Sequence, residues 1–196
     1  MSPQLPLFWI IAVLALGALV FAVKSRIGFA AQNPRDYAGS GPRFDVATHL
    51  NGPILCEGVI FGPRGRVESR FVARMKGNWT ELAGTLDEDF TYSTGTTQHR
   101  QWRLRIVGEN RFVAEADDIV GQAMGEISGA SARMTYRIRL PDQAGGHVLA
   151  VTDWLYLTAN GTIINRSQMR KCGIKVAELV ATMRPDPLPA GTDAAE

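Results

Sequence analysis

Five charged residues stand where the local pattern places apolar ones. Glu88 alternates with Leu86, Phe90 and Tyr92, and Arg100 shares a face with Trp102, Leu104 and Ile106. Asp153 lies between Val151 and Leu155 at the same spacing, and Glu178 between Val176 and Val180. Arg166 is ambiguous, because Ile163 and Ile164 start both faces of its segment. Removing a single charge from water costs several kcal/mol, so charges on an apolar face are expected in pairs. Glu88, Arg100, Asp153 and Arg166 are therefore expected to gather into one polar cluster, two acids balancing two bases. Two readings stand open. The cluster lines a ligand cavity and holds a polar head, with Trp102 and Tyr136 as aromatic platforms; or it is an internal ion-pair network that fixes strand register, with the aromatics as core. On the first reading the ligand-binding residues are Glu88, Arg100, Trp102, Tyr136, Asp153 and Arg166.

Familiar catalytic patterns are missing. His49, His99 and His147 lie far apart, and no GxSxG, HExxH, P-loop or GxGxxG after a strand occurs. Cys56 and Cys172 form no CxxC pair; a disulfide and two free thiols are both open, and a zinc site is not expected. No catalytic residue, metal or cofactor follows from these residues.

The segments that must position the charged residues repeat every second residue. Phe71, Ala73 and Met75 alternate with Val72, Arg74 and Lys76, and Met134, Tyr136 and Ile138 with Thr135, Arg137 and Arg139. That period marks strands with one face buried. Strands are expected over Leu55–Phe61, Val67–Lys76, Glu81–Tyr92, His99–Val107, Arg111–Asp117, Gln122–Ser128, Ala132–Leu140, His147–Leu157, Thr162–Met169 and Ile174–Met183. Gly62-Pro63-Arg64-Gly65, Gly77-Asn78, Gly145-Gly146 and above all Asn160-Gly161 supply turn chemistry between segments. No sustained helical period interrupts them. The expected fold class is all-β: an antiparallel up-and-down barrel, which removes exposed strand edges, preceded by a transmembrane helix.

That helix is read from Leu5 to Val23, 19 residues without a charge, about enough to span a bilayer. Lys24 and Arg26 follow it and no basic residue precedes it, which favours a retained anchor over a cleaved signal peptide. Residues 1–27 are thus expected as anchor, 28–54 as linker and lead-in, 55–183 as barrel, and 184–196 as a disordered tail. All 19 acidic residues lie beyond Ile27. With Lys24 and Arg26 set aside, the 21 basic residues fall to equality with them. A neutral domain offers no footprint for nucleic acid.

Several phrases resemble the bacterial domain of unknown function 3833: Leu86-Asp87-Glu88-Asp89-Phe90, Arg100-Gln101-Trp102, Ala116-Asp117-Asp118-Ile119-Val120-Gly121, Asp153-Trp154-Leu155-Tyr156-Leu157, and Asn165-Arg166 with Lys171-Cys172-Gly173. They run in order from Phe44 to Met183. The resemblance brings no established activity. Many members look like envelope lipoproteins with an acylated cysteine; here no cysteine follows the apolar run, and the helix would replace the lipid. The resemblance implies a domain facing the periplasm at the inner membrane, against the positive-inside rule, which places it in the cytoplasm. Gly77-Asn78-Trp79 is similar to the G-x-W of lipocalin-like barrels, with Arg166 as the arginine over that tryptophan.

The expected function is a membrane-anchored, lipocalin-like domain that takes up a small apolar or amphiphilic molecule. The alternative is an envelope assembly module with a filled barrel and no ligand. An enzyme acting on an envelope lipid or carbohydrate, with Glu88 or Asp153 as acid or base, ranks below both.

Overall fold

A computed structural model describes residues 4–24 and 26–186. The chain divides into two compact units, Met1–Asp36 and Tyr37–Glu196.

The first unit carries α1 (Gln4–Lys24) and a 3-10 turn at Gly28–Ala31. Every residue type in the body of α1 is apolar, and Phe8, Ile11, Val13, Leu14 and Leu19 are all exposed. A helix that is apolar all round belongs in apolar surroundings. Among the described residues, however, no helix is long and apolar enough to cross a membrane. The expected helix forms, while its role as a span is unsupported.

The second unit is a closed barrel. Its strands are β1 (Gly52–Phe61), β2 (Val67–Thr80), β3 (Ala83–Tyr92), β4 (Thr97–Gly108), β5 (Arg111–Glu115), β6 (Ala123–Ser128), β7 (Ser131–Arg139), β8 (Val148–Leu157), β9 (Ile163–Lys171) and β10 (Ile174–Pro185). Each pairs antiparallel with its sequence neighbours, and β1 closes the wall on β10 with Cys56 opposite Met183 and Val59 opposite Val180. All ten expected strands are present, in the expected up-and-down order. β10 runs on through Arg184 and Pro185, into the segment expected as tail; residues 187–196 of that segment lie outside the described residues.

Alternation then divides the wall. Leu86, Glu88 and Phe90 of β3, Arg100, Trp102 and Leu104 of β4, and Asp153 and Leu155 of β8 face the interior. Their neighbours in sequence, such as Asp87, Asp89, Gln101 and Arg103, form hydrogen bonds on the outside: Gln101 Nε2 donates to Asp87 Oδ1 at 2.6 Å, and Arg103 Nη2 to Asp117 Oδ1 at 3.1 Å.

The last part of the lead-in, Phe44 to Leu50, packs into the barrel body. Asp45 caps the short helix α2 (Val46–His49) by accepting from the Thr48 amide at 2.7 Å. Phe44, Val46 and Leu50 are all buried in the core. The Phe44 amide donates to the Gly129 carbonyl at 2.8 Å, tying this segment to the β6–β7 turn. Trp79 Nε1 donates to the Leu50 carbonyl at 2.9 Å. Leu50 lines the interior and closes that end of the barrel. This placement also settles the G-x-W motif: Trp79 braces the lead-in, whereas Arg166 leaves β9 on the outer face of the wall.

Gly77 has no room for a side chain, because a Cβ would overlap the Leu50 carbonyl oxygen and Asn51 Cα, both backbone atoms. Gly77→Ala is expected to lower the unfolding free energy by about 1–3 kcal/mol, the usual cost of overpacking. Urea unfolding measures this, and an unchanged midpoint would show that the lead-in does not seal the barrel there.

Candidate functional site

The barrel interior holds a cavity of about 150 Å³. Its walls are mostly apolar: Phe71 and Met75 of β2, Leu86 and Phe90 of β3, Leu104 of β4, Phe112 of β5, and Leu179 and Met183 of β10. Into this surface β3, β4, β7, β8 and β9 set Glu88, Arg100, Tyr136, Asp153, Asn165 and Ser167. Three of the four charges expected to cluster are therefore together, joined by Trp102 and Tyr136.

Arg166 is the exception. On β9 the inward residues are Asn165, Ser167 and Met169, so Arg166 lies on the outer face. There its Nε donates to Glu178 Oε1 at 2.7 Å, and Lys175 Nζ reaches Glu178 Oε2 at 2.6 Å. Glu178 is buried, yet it too is outward, since Leu179, Ala181 and Met183 are the cavity residues of β10. Burial opposes the Glu178 charge, but its hydrogen bonds from Lys175 and Arg166 more than offset that and hold its pKa below the ordinary value. The two predicted basic partners are thus split between the faces of the wall.

A residue not anticipated from the sequence takes the vacated place. Asp118 sits in the connection between β5 and β6, which is held against β7 by bonds from the Val120 amide to the Arg137 carbonyl and from the Arg139 amide to the Asp118 carbonyl, both 2.8 Å. From there its carboxylate takes the Arg100 guanidinium: Nε donates to Oδ1 at 3.1 Å, and Nη2 lies 3.0 Å from the same oxygen. That second approach is too poorly aligned to be a hydrogen bond, so Nη2 is neutralised in charge but short of an acceptor. Arg100 Cζ also lies 4.1 Å from the centre of the Trp102 ring, and Trp102 meets Tyr136 edge to face at 5.4 Å. Burial works against the Arg100 charge, and Glu88, Tyr136 and Asp118 more than compensate, raising its pKa.

The two inward acids have far less support. Glu88 is 6% exposed and stands opposite Arg100 in the β3–β4 register, but the guanidinium has turned to Asp118. Burial pushes the Glu88 carboxyl up, to about 7; Arg100 and a hydrogen bond from the Trp102 indole pull it back, while Asp153 and Asp118 push it further up. Asp153 is 8% exposed. Its Oδ2 accepts from the Tyr136 hydroxyl at 3.0 Å, and its Oδ1 has no hydrogen-bond partner. Burial raises its pKa, and the Ser167 and Tyr136 hydroxyls hold it back only in part. Burial and the Asp153 charge drive the Tyr136 phenol well above its ordinary value. Cys56, also lining the cavity, is pushed up to about 12 by burial and stays a thiol. Among the described residues no group of three or more His, Cys, Asp and Glu is arranged to hold a metal ion.

Asp118, Asn165 and Ser167 were not among the expected site residues. Asp118 lies in a loop, where no period assigns a face. Asn165 and Ser167 lie on β9, where Ile163 and Ile164 make the face undecidable.

The raised Glu88 value has a consequence for stability. Near pH 4.5, the ordinary value, the folded chain keeps a proton that the unfolded chain begins to lose, and above about 7 the folded state carries a buried charge. Stability therefore falls as pH rises through that window, by up to about 3 kcal/mol for this one group. Glu88→Gln is expected to abolish that part of the fall. In urea titrations it should match the unsubstituted chain near pH 4.5 and exceed it at pH 8; parallel curves at both pH values would mean the carboxyl is not desolvated.

Comparison with known proteins places this geometry. The S-type phycobiliprotein lyase CPES from Guillardia theta superposes with a TM-score of 0.53 at 6% identity, covering 80% of this chain and 99% of the lyase. Rv2717c from M. tuberculosis superposes with a TM-score of 0.52 at 14% identity, covering 75% and 99%. At these identities the likeness is one of fold, a lipocalin-like barrel. No curated protein matches the chain in sequence. The family model "Protein of unknown function (DUF3833)" matches residues 23–185, and the chain belongs to that family.

Proposed function

We propose that this DUF3833 member is a membrane-anchored binding domain that takes a small apolar or amphiphilic molecule into its barrel. One observation carries the reading. The closed barrel is not filled: it keeps a cavity of about 150 Å³, sized for a compact molecule, whose apolar wall and convergent polar groups are the usual lining of a small-molecule site. A module that only assembles with partners has no use for a hollow interior with buried, under-satisfied carboxyls.

The anchor belongs to the same proposal. The exposed apolar surface of α1 supports it, as does the uncharged run from Leu5 to Val23. The family resemblance supports a domain facing the periplasm. Cys172 offers a direct test, because it is exposed on the β9–β10 hairpin while Cys56 is buried. A membrane-impermeant maleimide is expected to label the chain in intact spheroplasts, and Cys172→Ser to abolish the label. Labelling only after lysis would place the domain in the cytoplasm, and recovery of the chain in the soluble fraction would remove the anchor.

Native mass spectrometry of the full chain after gentle extraction tests the ligand. A bound small molecule is expected, and Leu179→Trp, which fills the cavity from its wall, is expected to lose it while keeping the fold. A chain without adduct, and equal uptake by Leu179→Trp, would each overturn the reading. A second reading, acid–base chemistry on the bound molecule, is favoured by the Glu88 carboxyl near 7. It predicts that the captured molecule is consumed on incubation, whereas a binding domain returns it unchanged.

A further inference from the structure

We propose that the cavity selects a compact apolar molecule ending in a protonated amino group, with the ammonium seated against Asp153 and Glu88. The inference rests on the reading of the barrel as a binding domain and names the class of ligand it takes.

The polar cluster contains three carboxyls, Glu88, Asp118 and Asp153, and one guanidinium, Arg100. Arg100 hydrogen-bonds Asp118 and also faces Glu88 electrostatically. Among the described residues no lysine lines the cavity. Glu88, Asp118 and Asp153 therefore share a single guanidinium, and with all groups ionised the cluster is short of positive charge. A carboxylate ligand would satisfy Arg100 Nη2 but add to that excess. A neutral alcohol would leave it standing. An ammonium removes it.

Hydrogen-bond accounting points the same way. Asp153 is more than nine-tenths buried, and its Oδ1 lacks a donor. The Ser167 hydroxyl, which helps to hold the Asp153 carboxyl down, has one hydrogen to divide between Asp153 and Asn165 Oδ1, 3.2 Å away, and cannot serve both at once. The Asn165 amide is taken by the Trp154 carbonyl at 3.2 Å. Trp102 serves Glu88, but Asp153 Oδ1 is left without a donor, and an ammonium supplies three. The described residues do not form a ligand set for a bare metal ion, so an organic cation is the better match. Size sets the rest: an apolar cavity of about 150 Å³ accepts a body about as large as benzene, and Phe90, Trp102 and Tyr136 offer it aromatic faces.

Benzylamine, benzyl alcohol and benzoate share one body and differ in the head. Isothermal titration of the full chain in lipid nanodiscs, with empty nanodiscs subtracted, compares them. At pH 8 benzylamine is expected to bind at least about tenfold more tightly than either of the others, the worth of a hydrogen bond to a charged group. Its affinity should weaken as pH falls through about 7 and Glu88 takes up a proton. The groups facing Glu88 are Arg100 on β4, Asp118 in the β5–β6 connection, Tyr136 on β7, Asp153 on β8, Cys56 on β1 and Tyr92 on its own strand. Cys56 and both tyrosines have raised pKa values and keep their protons throughout that range.

Asp153→Asn and Glu88→Gln, each close to isosteric, should weaken benzylamine about tenfold or more and leave benzyl alcohol within about twofold. Should Asp153→Asn fail to fold, Glu88→Gln decides alone, since removing its buried charge favours folding. Benzyl alcohol or benzoate binding as tightly as benzylamine, or benzylamine indifferent to both substitutions, would overturn the amine inference and leave the binding domain standing. No uptake of any of the three would overturn the inference as well, and the mass spectrum of the extracted chain then decides separately whether the barrel binds anything.

Discussion

Closing a sheet of alternating residues through β1 and β10 leaves each strand side chain two destinations, a dry interior or the outer face. Everything notable about the site follows from that division. A charge that alternation sends inward must find its counter-charge inside or reach a loop that brings one. Arg100 does the latter. Its strand partner Glu88 is level with it, yet Arg100 binds Asp118, which arrives from outside the wall on a connection pinned to β7. The pair is half open, with side-chain exposures of 15% and 27%, so Asp118 gives up less hydration than Glu88 would. The choice leaves Glu88 and Asp153 to be neutralised by protons or by something that enters.

The ends of the barrel depend on the same division. Gly77 and Trp79 are inward on β2 at the end where the lead-in arrives, and both address Leu50, one by leaving room and the other by a hydrogen bond. Phe44, Val46 and Leu50 complete an apolar floor. The polar cluster lies beyond that floor, next to Phe71 and Phe90, whose rings meet at 5.4 Å. The cavity is thus apolar at the sealed end and carries its charges along the wall, an arrangement for a molecule with an apolar body and one polar group.

The ten strands and their order were legible because most of them have one polar face, as in Met134, Tyr136 and Ile138 against Thr135, Arg137 and Arg139. Period two then fixes both the strand and its inward side. Where both faces are apolar the strand remains legible and the side does not. On β10, Val176 and Val180 look as suited to a core as Leu179, Ala181 and Met183, and a bulge between Lys175 and Ala177 shifts the register. Glu178 and Arg166 were accordingly grouped with the core-facing charges and are found paired outside. The helix within the lead-in, Val46–His49, was hidden for another reason: one turn is too short to show a period. Asp118 was hidden because a loop residue acquires its partner only through tertiary structure.

The expected balance of two acids and two bases therefore fails in a way that bears on function. Moving Arg166 out and Asp118 in converts a neutral internal network into one with surplus acid. A network whose only task is to fix register gains nothing from a buried surplus, since each extra carboxyl must be desolvated or protonated at a cost in stability. Apolar residues of similar volume at Glu88 and Asp153 would pack the interior at less expense. Features that lower stability without serving the fold are characteristic of binding and catalytic sites. Any species that neutralises the surplus binds the folded chain and not the unfolded one, so occupancy and stability rise together by mass action. A proton is the smallest such species, and it leaves the cavity hollow. A cation with an apolar body neutralises the acids and fills the space, and so resolves the electrostatic and the packing defects of the empty barrel in one event.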